Sequence, residues 1–276
     1  MIKIACIQPE VLNTIKSCYS EIERLLKLLI EEQNNCDLIC FPERCFPLYK
    51  DMNSNFQQER GEIYNFLKNL SIDYNIAIVS GAIWEKRKNS KMPKITSYYF
   101  NDFGDEIGRQ DKIHLYSYER ELFESSNEIK IFPLKNYHFA ILICFDMAFF
   151  ETPRIAVNNG ANLLISPTQI RLEGMENWNI YLKARALENR IPIIGCNTFG
   201  EIFNRKFIGE SKIISFIKDF ISPSKLKIIE GPSNSSGFIS DEIDLDFPNK
   251  LRRIRFNEIV KTDQIKIMKV EIQKRQ

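Results

Sequence analysis

An alternation of short apolar runs with longer amphipathic segments constrains the fold of this chain most. Lys3 to Gln8 alternates apolar and polar residues, which is typical of a strand. Between Thr14 and Glu32, apolar residues recur at intervals of three and four. This predicts a helix that starts at Asn13 or Thr14 and stops at Asn34-Asn35. The apolar run from Asp37 to Phe41 predicts a second strand. This order of elements implies a sheet with helices packed on it.

The same alternation continues along the chain, without an internal repeat or a long linker. It predicts helices over about Asn55 to Leu70 and Glu176 to Asn189, and a shorter one near Arg154 to Asn158. It also predicts strands at Ile76–Ile83, Thr96–Asn101, Glu106–Arg109, Ile129–Pro133, Tyr137–Ile143, Asn162–Ser166 and Pro192–Asn197. We expect one α/β domain over residues 1–276. A charged C-terminal tail from about residue 250 is expected to pack on the body or to reach a partner subunit.

The charge balance argues against a nucleic-acid-binding surface. The chain has 38 Lys and Arg against 36 Asp and Glu, a net charge of +2, and the two signs are interleaved. The stretch from Met1 to Gln8 is too short and too polar for a signal peptide. No apolar stretch approaches the roughly 18 residues of a membrane span. We therefore expect a cytoplasmic protein with no nucleic-acid and no membrane partner.

The seven cysteines indicate a reducing compartment. They are odd in number and lie mostly inside apolar runs, which favours free thiols over a disulfide framework. Cys36, Cys40 and Cys45 are close in sequence, but they lack paired CxxC spacing. Only two histidines are available to complete a zinc site. We expect no metal.

Cys144 is the strongest candidate for a nucleophile. It ends the apolar run from Phe139 to Ile143 and precedes a helix-like stretch, so we place it on a strand-to-helix turn. Backbone N–H groups point outward at such a turn, and a helix N-terminus stabilises a thiolate. We expect a thiolate of lowered pKa that reacts near neutral pH before the six buried thiols. The alternative is that Cys144 is one more small buried side chain.

A nucleophilic cysteine usually needs a base. His114 and His138 are the only histidines, but no protease pattern surrounds Cys144. Glu43 is a further candidate, because it follows a buried strand and burial would raise its pKa toward a useful range. Lys112, just before an apolar stretch, offers a fixed cation for an oxyanion.

Three short motifs, taken in this order, resemble a known family. Phe-Pro-Glu43, Asp-Lys112-Ile-His-Leu and Leu-Ile-Cys144-Phe-Asp look like the Glu–Lys–Cys signature of the nitrilase superfamily of carbon–nitrogen hydrolases. The resemblance covers about Met1 to Ser215, most of the chain. Further matches to the family's strands and helices follow at Ile4–Gln8, Phe150-Glu151, Asn159–Pro167, Lys183–Asn189, Cys196-Asn197 and Phe207–Ser211.

The resemblance implies a four-layer α-β-β-α sandwich whose subunits pair through their outer helices, and therefore a homodimer or a higher homo-oligomer. It implies that Cys144 is the nucleophile, Glu43 the general base and Lys112 an electrophilic stabiliser. The backbone N–H of Phe145 would be the second oxyanion donor. The reaction would pass through a tetrahedral adduct and a thioester, with no metal or organic cofactor.

Further site residues follow from the same resemblance. Many family members carry another glutamate shortly after the lysine. Glu119 fits this role better than Glu121, because a Glu-Arg-x-x-Phe run recurs in relatives. The alternative is that Glu119 is an exposed loop carboxylate. We assign Phe145, Thr168 and Tyr49 to substrate binding.

Departures from the family pattern bear on the substrate. Phe145-Asp146 follows the cysteine where true nitrilases tend to have Trp-Glu, and this points to the amidase and carbamoylase branches. Residues 124–127 replace a Thr-Pro-Gly turn near the pocket mouth, and residues 216–232 follow no family pattern.

The leading hypothesis is cysteine-dependent hydrolysis of the C–N bond in a small linear amide or an N-carbamoyl compound, with release of ammonia or an amine. One alternative is hydrolysis of a nitrile by the same Glu-Lys-Cys site. Another is a non-catalytic, nitrilase-like module that binds a partner through its outer helices or tail. The complete set of three residues argues against that module.

Overall fold

The computed structural model describes residues 1–33, 36–260 and 262–269. Within these ranges no helix is long and apolar enough to cross a membrane. The first helix starts one residue after its predicted cap at Thr14, and its predicted stop at Asn34-Asn35 lies outside the described residues. The helices are α1 (Ile15–Gln33), α2 (Glu62–Tyr74), α3 (Glu119–Leu122), α4 (Glu151–Asn158), α5 (Met175–Asn189) and α6 (Asp246–Asn257).

The strands form two large sheets and one small hairpin. In chain order they are β1 (Ile2–Gln8), β2 (Leu38–Cys40), β3 (Gln57–Gln58), β4 (Ala77–Val79), β5 (Ile83–Lys86), β6 (Lys94–Phe100), β7 (Glu106–Asp111), β8 (Ile131–Leu134), β9 (Tyr137–Ile141), β10 (Leu163–Thr168), β11 (Ile193–Asn197), β12 (Phe199–Ile202), β13 (Arg205–Ile208), β14 (Lys212–Phe216), β15 (Leu226–Glu230) and β16 (Gly237–Ile243). The first sheet has the order β16-β1-β2-β4-β6-β5-β3, with β7 paired to β6. The second has the order β15-β14-β11-β10-β9-β8, and β12 pairs with β13.

Parallel strands occupy the middle of both sheets. In the first sheet β1, β2 and β4 run parallel, with Cys6 opposite Cys40. In the second sheet β9, β10 and β11 run parallel, with Ile165 opposite Ile141. Such strands are connected by helices, which cover the outer faces of the sheets. The strand–helix–strand pattern of the sequence therefore corresponds to the observed topology.

Three apolar layers hold the sheets and helices together. The layer between the two sheets includes fully buried side chains from both of them, such as Ile4, Cys40, Ile141 and Ile165. A second layer joins the outer face of the first sheet to α1 and α2, and a third joins the outer face of the second sheet to α4 and α5. Each fully buried Ile or Leu contributes about 1.5–3 kcal/mol relative to an exposed one. The predicted four-layer α-β-β-α sandwich is confirmed.

Two early elements differ from their predicted bounds. The helix predicted from Asn55 starts at Glu62, because residues 52–55 form a 3-10 helix and Gln57-Gln58 pairs with β5. The predicted strand over residues 76–83 is divided into β4 and β5. Gly81 interrupts it with a φ of +75°, and a Cβ built there would lie 2.1 Å from the Pro42 carbonyl oxygen. That close approach places the β4–β5 turn against the segment that leads into Glu43.

The region predicted as a charged tail begins as part of the body. Residues 250–257 belong to α6, where Leu251 is buried. The Arg252 guanidinium donates hydrogen bonds to the carbonyl oxygens of Asn189, Ala161 and Arg190, at 3.0, 3.1 and 3.3 Å. These bonds join α6 to the end of α5. The parts of the predicted tail at residue 261 and residues 270–276 lie outside the described residues.

Candidate active site

Four side chains that could take part in a reaction lie just after a strand or at the start of a short helix. Glu43 follows β2 in the first sheet, and Cys144 follows β9 in the second. Lys112 directly follows β7, and Glu119 is the first residue of α3. Because the ends of β2 and β9 meet where the two sheets face each other, the sandwich brings together residues that are far apart in sequence.

Lys112 is the centre of this cluster. Its ammonium donates hydrogen bonds to Glu43 Oε1 at 2.6 Å and to Glu119 at 2.9 Å. The three side chains are only 1%, 5% and 7% exposed. Ions this deeply buried are stable only when they are paired and hydrogen-bonded. The alternative reading of Glu119 as an exposed carboxylate is wrong, whereas Glu121 is exposed.

Burial and pairing shift the pKa values in this cluster in different directions. Burial alone would lower the pKa of Lys112, but Glu43, Cys144 and Glu119 outweigh it and hold this pKa well above its usual value. The ammonium is therefore always charged near neutral pH. Burial, with Glu43 next to it, raises the pKa of Glu119, although Lys112 and the backbone N–H of Tyr116 oppose that shift.

Cys144 lies on a strained turn at the end of its strand. It begins a 3-10 turn over Cys144–Ala148 and has a φ of +49°, in the left-handed region. A non-glycine residue held in a sparsely populated conformation costs about 1–3 kcal/mol, and such residues cluster at functional sites. The turn exposes Cys144 to a cavity, whereas the other six cysteines are buried.

The predicted low-pKa thiolate is wrong. Burial, reinforced by the negative charge of Glu43, raises the pKa of Cys144 well above the usual value of a thiol, and Lys112 offsets only part of this. The expected helix dipole is weak here, because a 3-10 turn of five residues separates Cys144 from α4. The thiol is therefore protonated at rest and needs a base.

Asp146 organises the turn that carries Cys144, a role that the sequence did not reveal. Its carboxylate accepts hydrogen bonds from the backbone N–H groups of Ile143, at 2.9 Å, and His114, at 2.7 Å. Oδ1 also lies 3.0 Å from His114 Nδ1. Asp146 thus ties the Cys144 turn to the segment that carries Lys112. His114, a candidate base, is committed to this contact and does not line the catalytic cavity.

Arg185, on α5, also holds the Cys144 turn in place. Its guanidinium donates hydrogen bonds to the carbonyl oxygens of Met147 at 3.2 Å and Ala148 at 2.8 Å. Carbonyl groups at the end of a short turn would otherwise lack partners. The helix thereby fixes the backbone that follows Cys144.

A cavity of about 470 Å³ opens onto the cluster. Glu43, Lys112, Glu119 and Cys144 all line it, and so does Phe145. Its volume lies in the range of small-molecule sites. The rest of the wall includes aromatic and aliphatic side chains from several loops, among them Tyr116, Trp178, Tyr181, Ile202 and Phe207. The arrangement suits a small ligand with a polar group directed at Cys144.

Two residues predicted to contact substrate do not line this cavity. Thr168 is fully buried, and its hydroxyl donates to the Cys196 carbonyl oxygen at 3.0 Å. Its own carbonyl oxygen accepts the N–H of Glu43 at 3.2 Å, so Thr168 holds the Glu43 loop. Tyr49 lines a different, smaller cavity, because the chain turns at this point and directs Leu48 toward the catalytic cavity instead.

Three charged residues at the cavity wall had no place in the sequence prediction. Arg171, Glu173 and Arg205 all line it. The Arg171 guanidinium donates to the Tyr116 hydroxyl at 3.4 Å. Within the described ranges, neither arginine forms a salt bridge. Arg171 stands only three residues beyond Thr168, but nothing in the pattern indicated that this side chain, and not Thr168, faces the cavity.

Across residues 1–33, 36–260 and 262–269, no group of three or more His, Cys, Asp or Glu side chains is arranged to hold a metal ion.

Comparisons with known proteins agree with this geometry. A family model described as carbon-nitrogen hydrolase matches residues 3–244. The chain is 30% identical over 256 residues to a probable nitrilase of Schizosaccharomyces pombe, a match that covers 91% of each protein. It is 27% identical over 226 residues to a 2-oxoglutaramate amidase of Bacillus subtilis, covering 80% of this chain and 83% of the relative.

A solved structure shares the fold. Saccharomyces cerevisiae Nit3, described as a member of branch 10 of the nitrilase superfamily, superimposes with a TM-score of 0.81 at 21% identity. The superposition covers 96% of this chain and 97% of Nit3. The family model and the Schizosaccharomyces pombe relative confirm the resemblance predicted from the Glu–Lys–Cys motifs. The chain belongs to the carbon–nitrogen hydrolase family of the nitrilase superfamily and is a hydrolase of carbon–nitrogen bonds.

Proposed function

We propose that this enzyme hydrolyses the C–N bond of a small linear amide through a thioester on Cys144. The observation that carries this proposal is the position of Lys112, whose ammonium is held between Glu43 and Glu119 in the cavity that exposes the Cys144 thiol. A nucleophile, a base and a fixed cation around one cavity are what acyl transfer requires.

Glu43 acts as the general base in the first step. The pKa of Cys144 is raised, so its thiol carries a proton that must leave as the sulfur attacks the amide carbon. Glu43 accepts this proton, and the carbonyl oxygen becomes an oxyanion. Lys112 and the backbone N–H of Phe145 stabilise that negative charge, which is strongest in the transition state. Glu43 then donates the proton to the departing nitrogen, and ammonia or an amine leaves.

Water completes the cycle. Glu43 takes a proton from a water molecule that attacks the thioester carbon. It gives this proton to the sulfur as the C–S bond breaks, which releases the carboxylic acid and the Cys144 thiol. Glu119 holds Lys112 and helps to position the substrate and this water. Its other oxygen accepts the N–H of Tyr116 at 2.8 Å, which fixes the carboxylate in place. No net proton is consumed, and the enzyme returns to its initial state.

The substrate that we propose carries a carboxylate at the end remote from the amide. Arg171 and Arg205 line the cavity without a salt bridge among the described residues, against a single acid there, Glu173, that is not part of the catalytic cluster. An arginine fork suits a carboxylate. The Bacillus subtilis relative is named for 2-oxoglutaramate, an amide of this kind.

A matched panel of substrates tests this proposal. We would measure ammonia release from the monoamide of a short dicarboxylic acid, a neutral amide of equal length, an N-carbamoyl amino acid and a nitrile. We expect the monoamide to give the highest kcat/KM and Cys144→Ala to be inactive on all four. Undiminished activity of Cys144→Ala would refute the mechanism.

A second variant separates the substrate class from the mechanism. Arg171→Met should raise KM for the monoamide about tenfold and leave the neutral amide unaffected, because only the former has a charge to lose. Equal effects on both substrates would show that Arg171 does not bind a carboxylate.

A further inference from the structure

Arg44, the residue after Glu43, is a buried guanidinium without hydrogen-bond partners for two of its nitrogens. It is only 6% exposed, and both Nε and Nη2 are buried without an acceptor. The guanidinium carbon lies 4.0 Å from the centre of the Trp84 ring, which covers one face of the group. Buried polar atoms are almost always hydrogen-bonded, so two such donors on one arginine indicate a missing acceptor.

The nearest acids are engaged elsewhere. Burial lowers the pKa of Arg44, while Tyr118, Glu43 and Glu119 act in the opposite direction. Glu43 and Glu119, however, already accept hydrogen bonds from Lys112. Arginine keeps its proton in proteins, so its N–H groups continue to need acceptors.

A small cavity lies beside Arg44. Its volume is about 30 Å³, and Arg44 and Gln57 both line it. Gln57 Nε2 is likewise buried without a partner. The Gln57 amide cannot simply be reversed, because its Oε1 accepts the backbone N–H of Ile63 at 3.1 Å. Among the described residues that line this cavity, only Arg44 and Gln57 have buried side-chain nitrogen or oxygen atoms without a hydrogen-bond partner. All of these atoms are N–H donors.

This combination of size, charge and polarity selects the occupant. A monatomic anion accepts hydrogen bonds from all of these donors and also balances the buried charge of Arg44, which a neutral water molecule does not. The cavity is too small for a large organic anion. We propose that a halide ion, chloride being the common one, binds between Arg44 and Gln57 behind the catalytic glutamate.

The ion would stabilise the loop that follows Glu43. The lining of the cavity includes residues 44–47 and Tyr49 of this loop, together with Ser54, Asn55, Gln57 and Trp84. Arg44 is not among the residues that line the catalytic cavity, so the halide site is separate from the substrate site. Its existence does not depend on which amide the enzyme hydrolyses.

Thermal unfolding in mixed salts tests the proposal in solution. Sodium chloride would replace sodium gluconate at constant ionic strength, since gluconate is too large to enter. We expect Tm to rise saturably, by about 2–4 °C at a chloride concentration roughly ten times the dissociation constant. Arg44→Met should abolish this saturable rise and retain only the general effect of exchanging the salts.

A second variant gives an answer even if Arg44→Met does not fold. Gln57→Glu places a carboxylate at the cavity, where it would pair with Arg44 and repel an anion. Its Tm in gluconate should exceed that of the wild type, and chloride should add no saturable rise. The same chloride response in wild type and Gln57→Glu would overturn the proposal.

Crystals soaked in sodium bromide give a direct readout. We expect an anomalous peak between Arg44 and Gln57 in the wild type and none in Gln57→Glu. Density without anomalous signal would show that water fills the cavity, and an empty cavity would equally refute the halide site.

Discussion

Two clusters of buried ions lie on the first sheet. Two residues that are adjacent in the chain, Asp111 and Lys112, each contribute a charge to a different cluster. Asp111 is the last residue of β7 and belongs to a structural cluster with Arg87 and Glu85, whereas Lys112 belongs to the catalytic cluster. Successive side chains of a strand point to opposite faces, so neighbouring positions reach different layers. Asp111 and Lys112 are therefore neighbours in the chain, but their side chains lie in separate environments.

The structural cluster satisfies its charges. The Arg87 guanidinium donates to both oxygens of Asp111, at 2.8 and 2.5 Å, and to Glu85 Oε1 at 2.5 Å. Thr96 also donates to Asp111, at 2.7 Å. Although burial acts in the opposite direction, Arg87 lowers the pKa of Asp111 overall. Arg87 and Asp111 are thus held in the charge states that they prefer in water.

The catalytic cluster contains an acid and a thiol whose pKa values are raised by burial. The pKa values of Glu119 and Cys144 are both raised, and both side chains line an open cavity. Perturbed pKa values of this kind are typical of functional sites. The comparison teaches that burial of charge alone does not mark a site. The mark is a set of buried groups with shifted pKa values that face a cavity.

The largest effect that we expect comes from Arg87→Met in the structural cluster. It removes the main cationic partner of Glu85 and Asp111 and leaves them chiefly with hydroxyl hydrogen bonds from Tyr98 and Thr96, which should lower the free energy of unfolding by about 3–5 kcal/mol. Folded molecules should retain their kcat. Chemical denaturation measures the first effect and steady-state kinetics the second.

Arg24→Met, in an exposed pair with Glu21, is the control and should change stability by less than about 1 kcal/mol. If the folded Arg87→Met protein lost kcat, the distinction between the structural and the catalytic cluster would be wrong.

The next largest effect should appear in catalysis. Glu43→Gln and Lys112→Met remove the base and the oxyanion stabiliser, and each should lower kcat/KM on the order of a hundredfold, a barrier increase of about 2.7 kcal/mol. Lys212→Met is the matched control, because Lys212 is also a lysine that is only 1% exposed but pairs with Glu230 and does not line the cavity. Its folded fraction should retain wild-type kcat/KM, and an equal loss in all three variants would argue for a merely structural role of Lys112.

The smallest effect concerns Glu119 and pH. Its pKa is raised on folding, so its ionised form is disfavoured in the native state. The protonated form of Glu119 therefore stabilises the native state. This contribution is fully present below the pKa that a glutamate has in the unfolded chain, about 4.3, and it is lost as pH rises through the pKa of Glu119 in the native state. Glu119→Gln cannot ionise. Its Tm should match that of the wild type at low pH and exceed it by on the order of 2 °C near neutral pH.

The exposed neighbour of Glu119 provides the control for that measurement. Glu121→Gln should track the wild type at every pH, since Glu121 is exposed and outside the cavity. A Glu119→Gln variant that is less stable than the wild type at neutral pH would mean that pairing with Lys112 outweighs burial.

The sequence predicted those parts of the site that depend on strand ends. Glu43 and Cys144 each follow an apolar run, and the ends of such runs remain the ends of strands in the fold. It could not predict which way a loop side chain points. Tyr49 and Leu48 differ by one position in a turn, and only the packing of that turn directs Leu48 to the catalytic cavity.

Properties that arise from tertiary contact were also beyond the sequence. The raised pKa of Cys144 results from burial and from Glu43, about a hundred residues away in the chain. The role of Asp146 requires the segment containing His114 to pass beside the Cys144 turn. Each depends on where the two sheets face each other, and no local pattern encodes that placement.

The most direct test of this account is rapid-quench mass spectrometry of the enzyme during turnover of the best amide. We expect a transient mass increase equal to the acyl group, located by peptide mapping on Cys144 and absent from Cys144→Ala. Turnover without any adduct on Cys144, or with the adduct on another residue, would contradict the proposed thioester mechanism.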